Sequence, residues 1–378
     1  VTTRPTPPVD GRGRRFRRIL SRAILAGIAS CLAFPLAEGL LDATHPVPID
    51  RLDRFGESLR VEAADGRWLR VAPTPGGERR LPVPLEELSP HVLDAVVASE
   101  DRRFFHHGGV DALAVFRAAA TSIARGRVVS GASTLTMQLA RIAEPRPRDL
   151  RGKIREMIRA RQIERRLSKE AILEAYLDSV PWGGTLRGIE AASRYWCGKR
   201  ARDLAPEEAA MLVAMLPAPS RLAPDRAAPE LRRRRDVVLA RMREEGLLVA
   251  AELRRAVSAP IRARRHLWPF RAPHLCDGVA RGAAGSRIET SIDLDLQDRL
   301  ETIVRSEETA GVDGVAVVVV ERGTGAIVAL IGSRDYRSRP LDAASCRRSA
   351  GSTLKPFLYG LALEELVTGM DGLLLDTQ

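Results

Sequence analysis

Four short segments combine residue types that can do chemistry. The first is Glu100-Asp101-Arg102-Arg103-Phe104-Phe105-His106-His107-Gly108-Gly109-Val110-Asp111. Its leading glutamate falls in line with Leu93, Val96 and Val97, at the far end of an apolar helical stripe. A carboxylate placed there can carry a raised pKa and act as a base; the plain alternative is a helix end followed by a glycine loop. A metal set of Glu100, His106, His107 and Asp111 is disfavoured, because adjacent histidines rarely ligate one ion. The second segment runs from Gly131 through Ser133, Thr134, Met137 and Gln138 to Arg141. Small hydroxyl residues after a glycine can hold phosphate oxygens through side chains and backbone N–H groups, or Ser133 can simply cap a helix. The third is Lys153-Ile154-Arg155-Glu156, where a lysine and a glutamate three apart can meet a pyrophosphate and a cation, or pair with each other. The fourth is Ser352-Thr353-Leu354-Lys355, a serine and a lysine one helical turn apart, so that the amine can activate the hydroxyl.

These residues need helices to hold them. Ser89-Pro90 signals a helix start, and from Pro82 to about Arg255 the pattern is helical almost throughout. A helix over 150–167 places Lys153, Glu156, Ala160, Glu164 and Leu167 on one side. Arg151, Arg155, Arg159, Arg165 and Arg166 fall on the other, together with Ile154 and Ile158. Ser168 caps a further helix to Val180, and an apolar helix spans Pro206 to Leu216. Residues 256–286, rich in Pro, Arg and Gly, read as a linker. Two strands, Val315–Val320 and Ile327–Ile331, then flank a turn at Gly323-Thr324-Gly325.

The chain has 378 residues, enough for two domains with tails, and its 45% hydrophobic fraction excludes a disordered protein. The formal charge of +12 is carried almost wholly by arginine, with four lysines: Lys153, Lys169, Lys199 and Lys355. A basic chain suits nucleic acid, anionic lipid and pyrophosphate alike. Four dispersed cysteines without CxxC spacing argue against a zinc or redox motif. Residues 23–37 form an uncharged apolar run, which reads as a span over 19–41 with Arg22 and Glu38 near its ends and is preceded by Arg12, Arg14, Arg15, Arg17 and Arg18. Its length approaches the ~20 residues that span a bilayer, and the arginines predict a cytoplasmic N-terminus with the bulk of the chain outside; the plain alternatives are a cleaved signal peptide or a buried helix.

The first three segments together resemble glycosyltransferase family 51, the peptidoglycan polymerases. The resemblance continues through Arg165–Leu177 and Gly183–Tyr195 and ends near Arg235-Asp236-Val237-Val238-Leu239. Met137 stands where many members carry a second Gln, and Met-Gln here resembles the penicillin-binding protein 1C branch. The fourth segment resembles the acylation motif of penicillin-binding transpeptidases.

What the resemblance implies is a mostly α, lysozyme-like glycosyltransferase domain followed by the start of an α/β transpeptidase domain. The expected organisation is a tail (1–18), an anchor (19–41), a connector (42–75), the polymerase (76–255), a linker (256–286) and the transpeptidase part (287–378). Glu100 is the implied base, Glu156 the second catalytic carboxylate and the ligand of a divalent cation, Mg or Mn. Asp101, Phe104, Ser133, Thr134, Gln138, Arg141, Lys153 and Arg235 are the implied binding residues. The implied partners are lipid II, the growing glycan strand and the bacterial inner membrane, with the catalytic domains on its outer, periplasmic side. Ser352 and Lys355 would be a nucleophile and its activator. No S-x-N and K-T-G pair follows Lys355, so this chain is expected not to acylate, and β-lactams are expected to bind only a longer product. Two rivals stand beside this reading. A lysozyme-like glycan-cleaving enzyme also uses two carboxylates but has no use for a pyrophosphate site. A nucleic-acid scaffold would use Arg232–Arg235 and Arg262–Arg265, but the expected anchor keeps them away from nucleic acid.

Overall fold

The computed structural model describes residues 39, 55–125, 133–145, 147, 149–306, 314–347 and 349–365. The expected tail, the expected anchor apart from Gly39, the first part of the connector, and Gly131 lie outside the described residues. Among those described, no helix is long and apolar enough to cross a membrane. The chain divides into two compact units, one of residues 1–59 and 71–268, the other of residues 60–70 and 269–378.

The first unit is built of helices: α1 (Pro90–Glu100), α2 (Ala112–Arg125), α3 (Leu135–Ala143), α4 (Leu150–Glu164), α5 (Lys169–Ser179), α6 (Ile189–Cys197), α7 (Pro206–Met215), α8 (Pro224–Glu244) and α9 (Ala250–Ser258). The short strands β3 (Arg79–Arg80) and β4 (Leu186–Arg187) pair in parallel. Helix α7 explains the core. Every residue from Ala209 to Met215 is buried, as an all-apolar helix requires. α1 and α8 pack against it. Around it close Val92, Val96, Leu139, Tyr176, Leu177 and Leu239. α8 is broken near its start, where Ala227 leaves helical geometry two residues before Pro229. Glycines end or admit elements where a side chain cannot sit: Gly198 closes α6 at φ 70°.

The second unit holds β1 (Arg60–Glu62), β2 (Trp68–Val71), α10 (Pro273–Ala280), β5 (Arg287–Glu289), α11 (Leu294–Ser306), β6 (Val317–Val320), β7 (Ile327–Ile331) and α12 (Lys355–Glu364). Strand order β2-β1-β5 makes one sheet, and β6 pairs antiparallel with β7 as the turn residues predicted. Two readings need correction. The segment taken as a connector carries β1 and β2, and β1 pairs in parallel with β5, Val61 opposite Ile288. The segment taken as a linker contains α10. The mostly helical architecture agrees with the lysozyme-like expectation for the first unit.

Candidate active site

α1 ends on Glu100 because the backbone turns at Asp101, whose φ of −157° leaves the helix. Ser89 starts α1, though not by the expected side-chain cap: its Oγ donates to the Leu204 carbonyl at 2.9 Å, fastening the helix start to the segment before α7. At the other end, burial pushes the Glu100 carboxyl above its ordinary range, and Asp101 adds to this. The Gln138 hydrogen bond and the Arg241 and Arg141 guanidinium groups oppose it. Gln138 Nε2 donates to Glu100 Oε2 at 2.9 Å, and the Tyr176 hydroxyl donates to Gln138 Oε1 at 3.1 Å.

Asp101 is structural cement for the turn. One carboxylate oxygen accepts from His107 Nε2 at 2.9 Å, and the other accepts from the Leu135 backbone N at 3.0 Å, the first residue of α3. A carboxylate at a helix start is favoured by the dipole and by the free N–H groups there. Phe104 is fully buried beneath the turn. Lys169 closes it from α5, with Nζ 4.4 Å from the Phe104 ring centroid and bonds to the His107 carbonyl at 2.6 Å and Glu164 Oε1 at 2.7 Å.

α3 is capped by Thr134, not by Ser133. Thr134 Oγ1 accepts from the Met137 N at 3.1 Å and donates to the Gly109 carbonyl at 2.6 Å. That frees Ser133, whose Oγ accepts from Lys153 Nζ at 2.5 Å. Lys153 also lies 3.2 Å from Glu156, three residues on, and Arg141 Nη1 is 3.8 Å from the same carboxylate. Both pairing and inward placement hold at once: Glu156 is buried, while Lys153 and Arg141 stay about one third exposed. Ile158 is buried too, although it falls on the arginine side of the helical wheel, and Ile154 is exposed.

A cleft of about 380 Å³ opens beside the Glu100 turn and the residues that start α3. Glu100, Asp101, Asp111, Ser133 and Thr134 line it together with Arg102, Arg103, Arg117 and Arg241, Arg103 being paired with Asp111 at 3.1 Å. Its surface thus joins one carboxylate of raised pKa to several guanidinium groups, a combination suited to proton abstraction beside an anionic substrate. Among the described residues no group of three His, Cys, Asp or Glu converges as a metal site. Glu156 is a single carboxylate flanked by two cations.

Arg235 is a correction. It is 1% exposed, and its guanidinium is spent on Asp236 and on the carbonyls of Val257 and Ala259 at the end of α9. It cannot meet a ligand there. The arginine that α8 does send to the cleft is Arg241, whose Nη1 holds the Ser99 carbonyl at 3.0 Å. Sequence reading passed over Arg241 and Tyr176. Arg241 lay within an arginine-rich helix that read as a solvated face, though it follows Arg234 by seven residues, two helical turns. Tyr176 stood inside a quoted motif with no distinguishing neighbour. In the second unit, Ser352 stands in a 3-10 turn and Lys355 opens α12; both are exposed, and α12 buries none of its side chains.

Residues 67–243 match the family model described as Transglycosylase. The chain is 38% identical over 348 residues to penicillin-binding protein 1C of Escherichia coli (strain K12), a match covering 90% of this chain and 45% of that protein. It is 35% identical to penicillin-binding protein 1B of Vibrio cholerae over 81% of this chain and 43% of that one. With penicillin-binding protein 2D of Bacillus subtilis (strain 168) the identity is 30%, over 82% and 47%. The chain spans less than half the length of these relatives.

Proposed function

We propose that this chain, which belongs to the Transglycosylase family of penicillin-binding proteins, polymerises lipid II into β-1,4 glycan with Glu100 as the base. The observation that carries the reading is the Glu100 carboxyl, raised in pKa by burial, on the wall of an arginine-lined cleft. Glu100 takes the proton from the 4-hydroxyl of the acceptor GlcNAc. That oxygen attacks C1 of the MurNAc at the lipid end of the growing strand, the α bond to pyrophosphate breaks with inversion, and undecaprenyl pyrophosphate leaves. A positioned base supplies roughly 10²–10⁴-fold. Charge stabilisation of the leaving group supplies much of the rest, and here Lys153 and Arg141, held beside Ser133 and Glu156, are the groups for it.

A divalent cation, Mg or Mn, belongs to the same reading. One carboxylate together with substrate phosphates is an ordinary magnesium donor set, and Glu156 is that carboxylate. Bound there, the ion would add to the neutralisation of the pyrophosphate. The arginine cluster and apolar run of residues 12–41 support attachment to the inner membrane with the polymerase outside. Binding of β-lactams through Ser352 and Lys355 belongs to the reading of a longer product.

The test pairs two substrates. Incubated with lipid II, the chain should build glycan, and incubated with finished glycan it should release nothing. Glu100→Gln keeps the shape and cannot accept the proton, so it should abolish polymerisation with an unchanged thermal unfolding midpoint. Near-normal strand synthesis by that variant removes the base; glycan cleavage without polymerisation replaces the reaction.

A further inference from the structure

The buried side of Glu100 carries a three-residue relay across three helices. Tyr176 of α5 is fully buried. Its hydroxyl lies 3.1 Å from Gln138 Oε1 on α3, and Gln138 Nε2 lies 2.9 Å from Glu100 Oε2 at the end of α1. A side-chain amide has two orientations of nearly equal shape and opposite hydrogen bonding. In one, N–H meets the carboxylate. In the other, a carbonyl oxygen faces a carboxylate oxygen, and two acceptors oppose each other. The carboxylate, an acceptor only, favours the first, and the phenol reinforces it from the other end of the amide. Burial and the nearby Glu100 charge keep the phenol protonated, so its O–H must find an acceptor, and Oε1 of Gln138 is the acceptor offered.

We propose that Tyr176 is a positioning residue that locks the Gln138 amide in the orientation presenting its N–H to Glu100. The inference rests on the reading of Glu100 as the base. The lock has two effects. It stabilises the ionised carboxylate, since a donated hydrogen bond favours the charged form. It also holds Oε2, leaving Oε1 of Glu100 as the oxygen turned to the acceptor hydroxyl. The other charged groups that act on Glu100 are Asp101 beside it, Arg141 on α3 and Arg241 on α8. Asp101 is itself held by His107. None of them contacts the Gln138 carbonyl oxygen through a hydrogen bond among the described residues, so Tyr176 is the group that holds the carbonyl end of the amide.

The experiment uses Tyr176→Phe in the full chain with lipid II as substrate, and reads the pH–rate profile. The ring stays and only the hydroxyl goes. The acid limb should move up by ~0.5–1 pH unit as the carboxylate loses its fixed donor. Below that limb kcat should fall ~3–10-fold, with recovery at higher pH and KM within about twofold. The Glu100 carboxyl carbon, identified in NMR by its loss in Glu100→Gln, should titrate with the same upward shift. In a Gln138→Leu background, Tyr176→Phe should add nothing to either readout. An unmoved acid limb and an unmoved carboxyl titration overturn the proposal, and so does a rate lowered equally at all pH with a fall in thermal midpoint. Should the chain fail to polymerise, or Glu100→Gln polymerise normally, the base reading falls, while the NMR titration still decides whether the lock exists.

Discussion

Burial gives Glu100 its working range and removes Arg235 from the site altogether. The two residues show what sequence can and cannot say about a side chain. Glu100 was legible because its place at the end of an apolar stripe already implied partial desolvation, and the carboxyl is indeed raised by burial. Its ionised form is the active base, so polymerisation should rise with pH through a midpoint above the ordinary glutamate range. Arg235 sat in a matching motif, and a guanidinium that binds phosphate looks the same in sequence as one that ties two helices together. It donates twice to Asp236 on its own helix, and its two bonds to the carbonyls of Val257 and Ala259 fasten α8 to the end of α9. Those carbonyls at a helix end have no partner within the helix. Arg235→Ala should therefore cost about 3–5 kcal/mol of stability, the range for breaking a buried charged network. At temperatures below the lowered midpoint it should leave KM for lipid II within about twofold. Calorimetry and steady-state polymerisation on the same preparation check both halves; a large rise in KM at full stability would return Arg235 to the site.

Elements were legible where one helix period carried the pattern, and illegible where the partner was remote. α4, α5 and α7 follow their apolar stripes and caps, and the β6–β7 hairpin follows its glycine turn. β1 and β2 hid in a Pro- and Gly-rich stretch because each is short and the third strand of their sheet, β5, lies more than 200 residues on. Caps shifted by one residue for a local reason. Ser133 is the better cap by type, yet Thr134 caps the helix, with its hydroxyl also reaching the Gly109 carbonyl. Gly109 is the hinge of that arrangement. Its φ is +88°, a conformation costly for any side chain. A Cβ there would lie 2.8 Å from the backbone of Ala160 in α4. Gly109→Ala should thus force apart the Glu100 turn and α4, the two elements that carry the base and Glu156. Strain plus overpacking places the expected loss at about 2–4 kcal/mol, read as a lower urea midpoint, with polymerisation reduced even where the protein remains folded. An alanine variant of wild-type stability and activity would show that the close approach is not required.

At the scale of the whole molecule, stability depends on pH through carboxylates buried for structural rather than catalytic reasons. Asp178, the penultimate residue of α5, is the clearest of these. Its Oδ1 accepts the Val83 N–H at 3.3 Å, and its own carbonyl accepts from Arg80 Nε at 3.1 Å. Burial raises its pKa to about 7, against the pull of Arg80 and the Val83 hydrogen bond, with Glu174 and Glu57 adding to the rise. An acid whose folded pKa lies above its unfolded value favours folding in its protonated form. That contribution is complete below the unfolded value of 3.8 and is lost as pH climbs through about 7. Asp94 is shifted in the same direction, so the first unit should lose stability as pH rises from 3.8 to about 7. Asp178→Asn keeps an oxygen for Val83 and removes the ionisation. At pH 8 it should stabilise the protein by up to about 4 kcal/mol, the upper bound set by a shift of this size. At pH 4.5 the gain should shrink to about 1 kcal/mol, because Asp178 is neutral in the folded protein there and ionises only in the unfolded chain. Chemical denaturation of both proteins at the two pH values gives the comparison directly. An equal effect at pH 4.5 and pH 8 would mean that the asparagine acts through packing or hydrogen bonding, and that Asp178 does not titrate in the range its burial dictates.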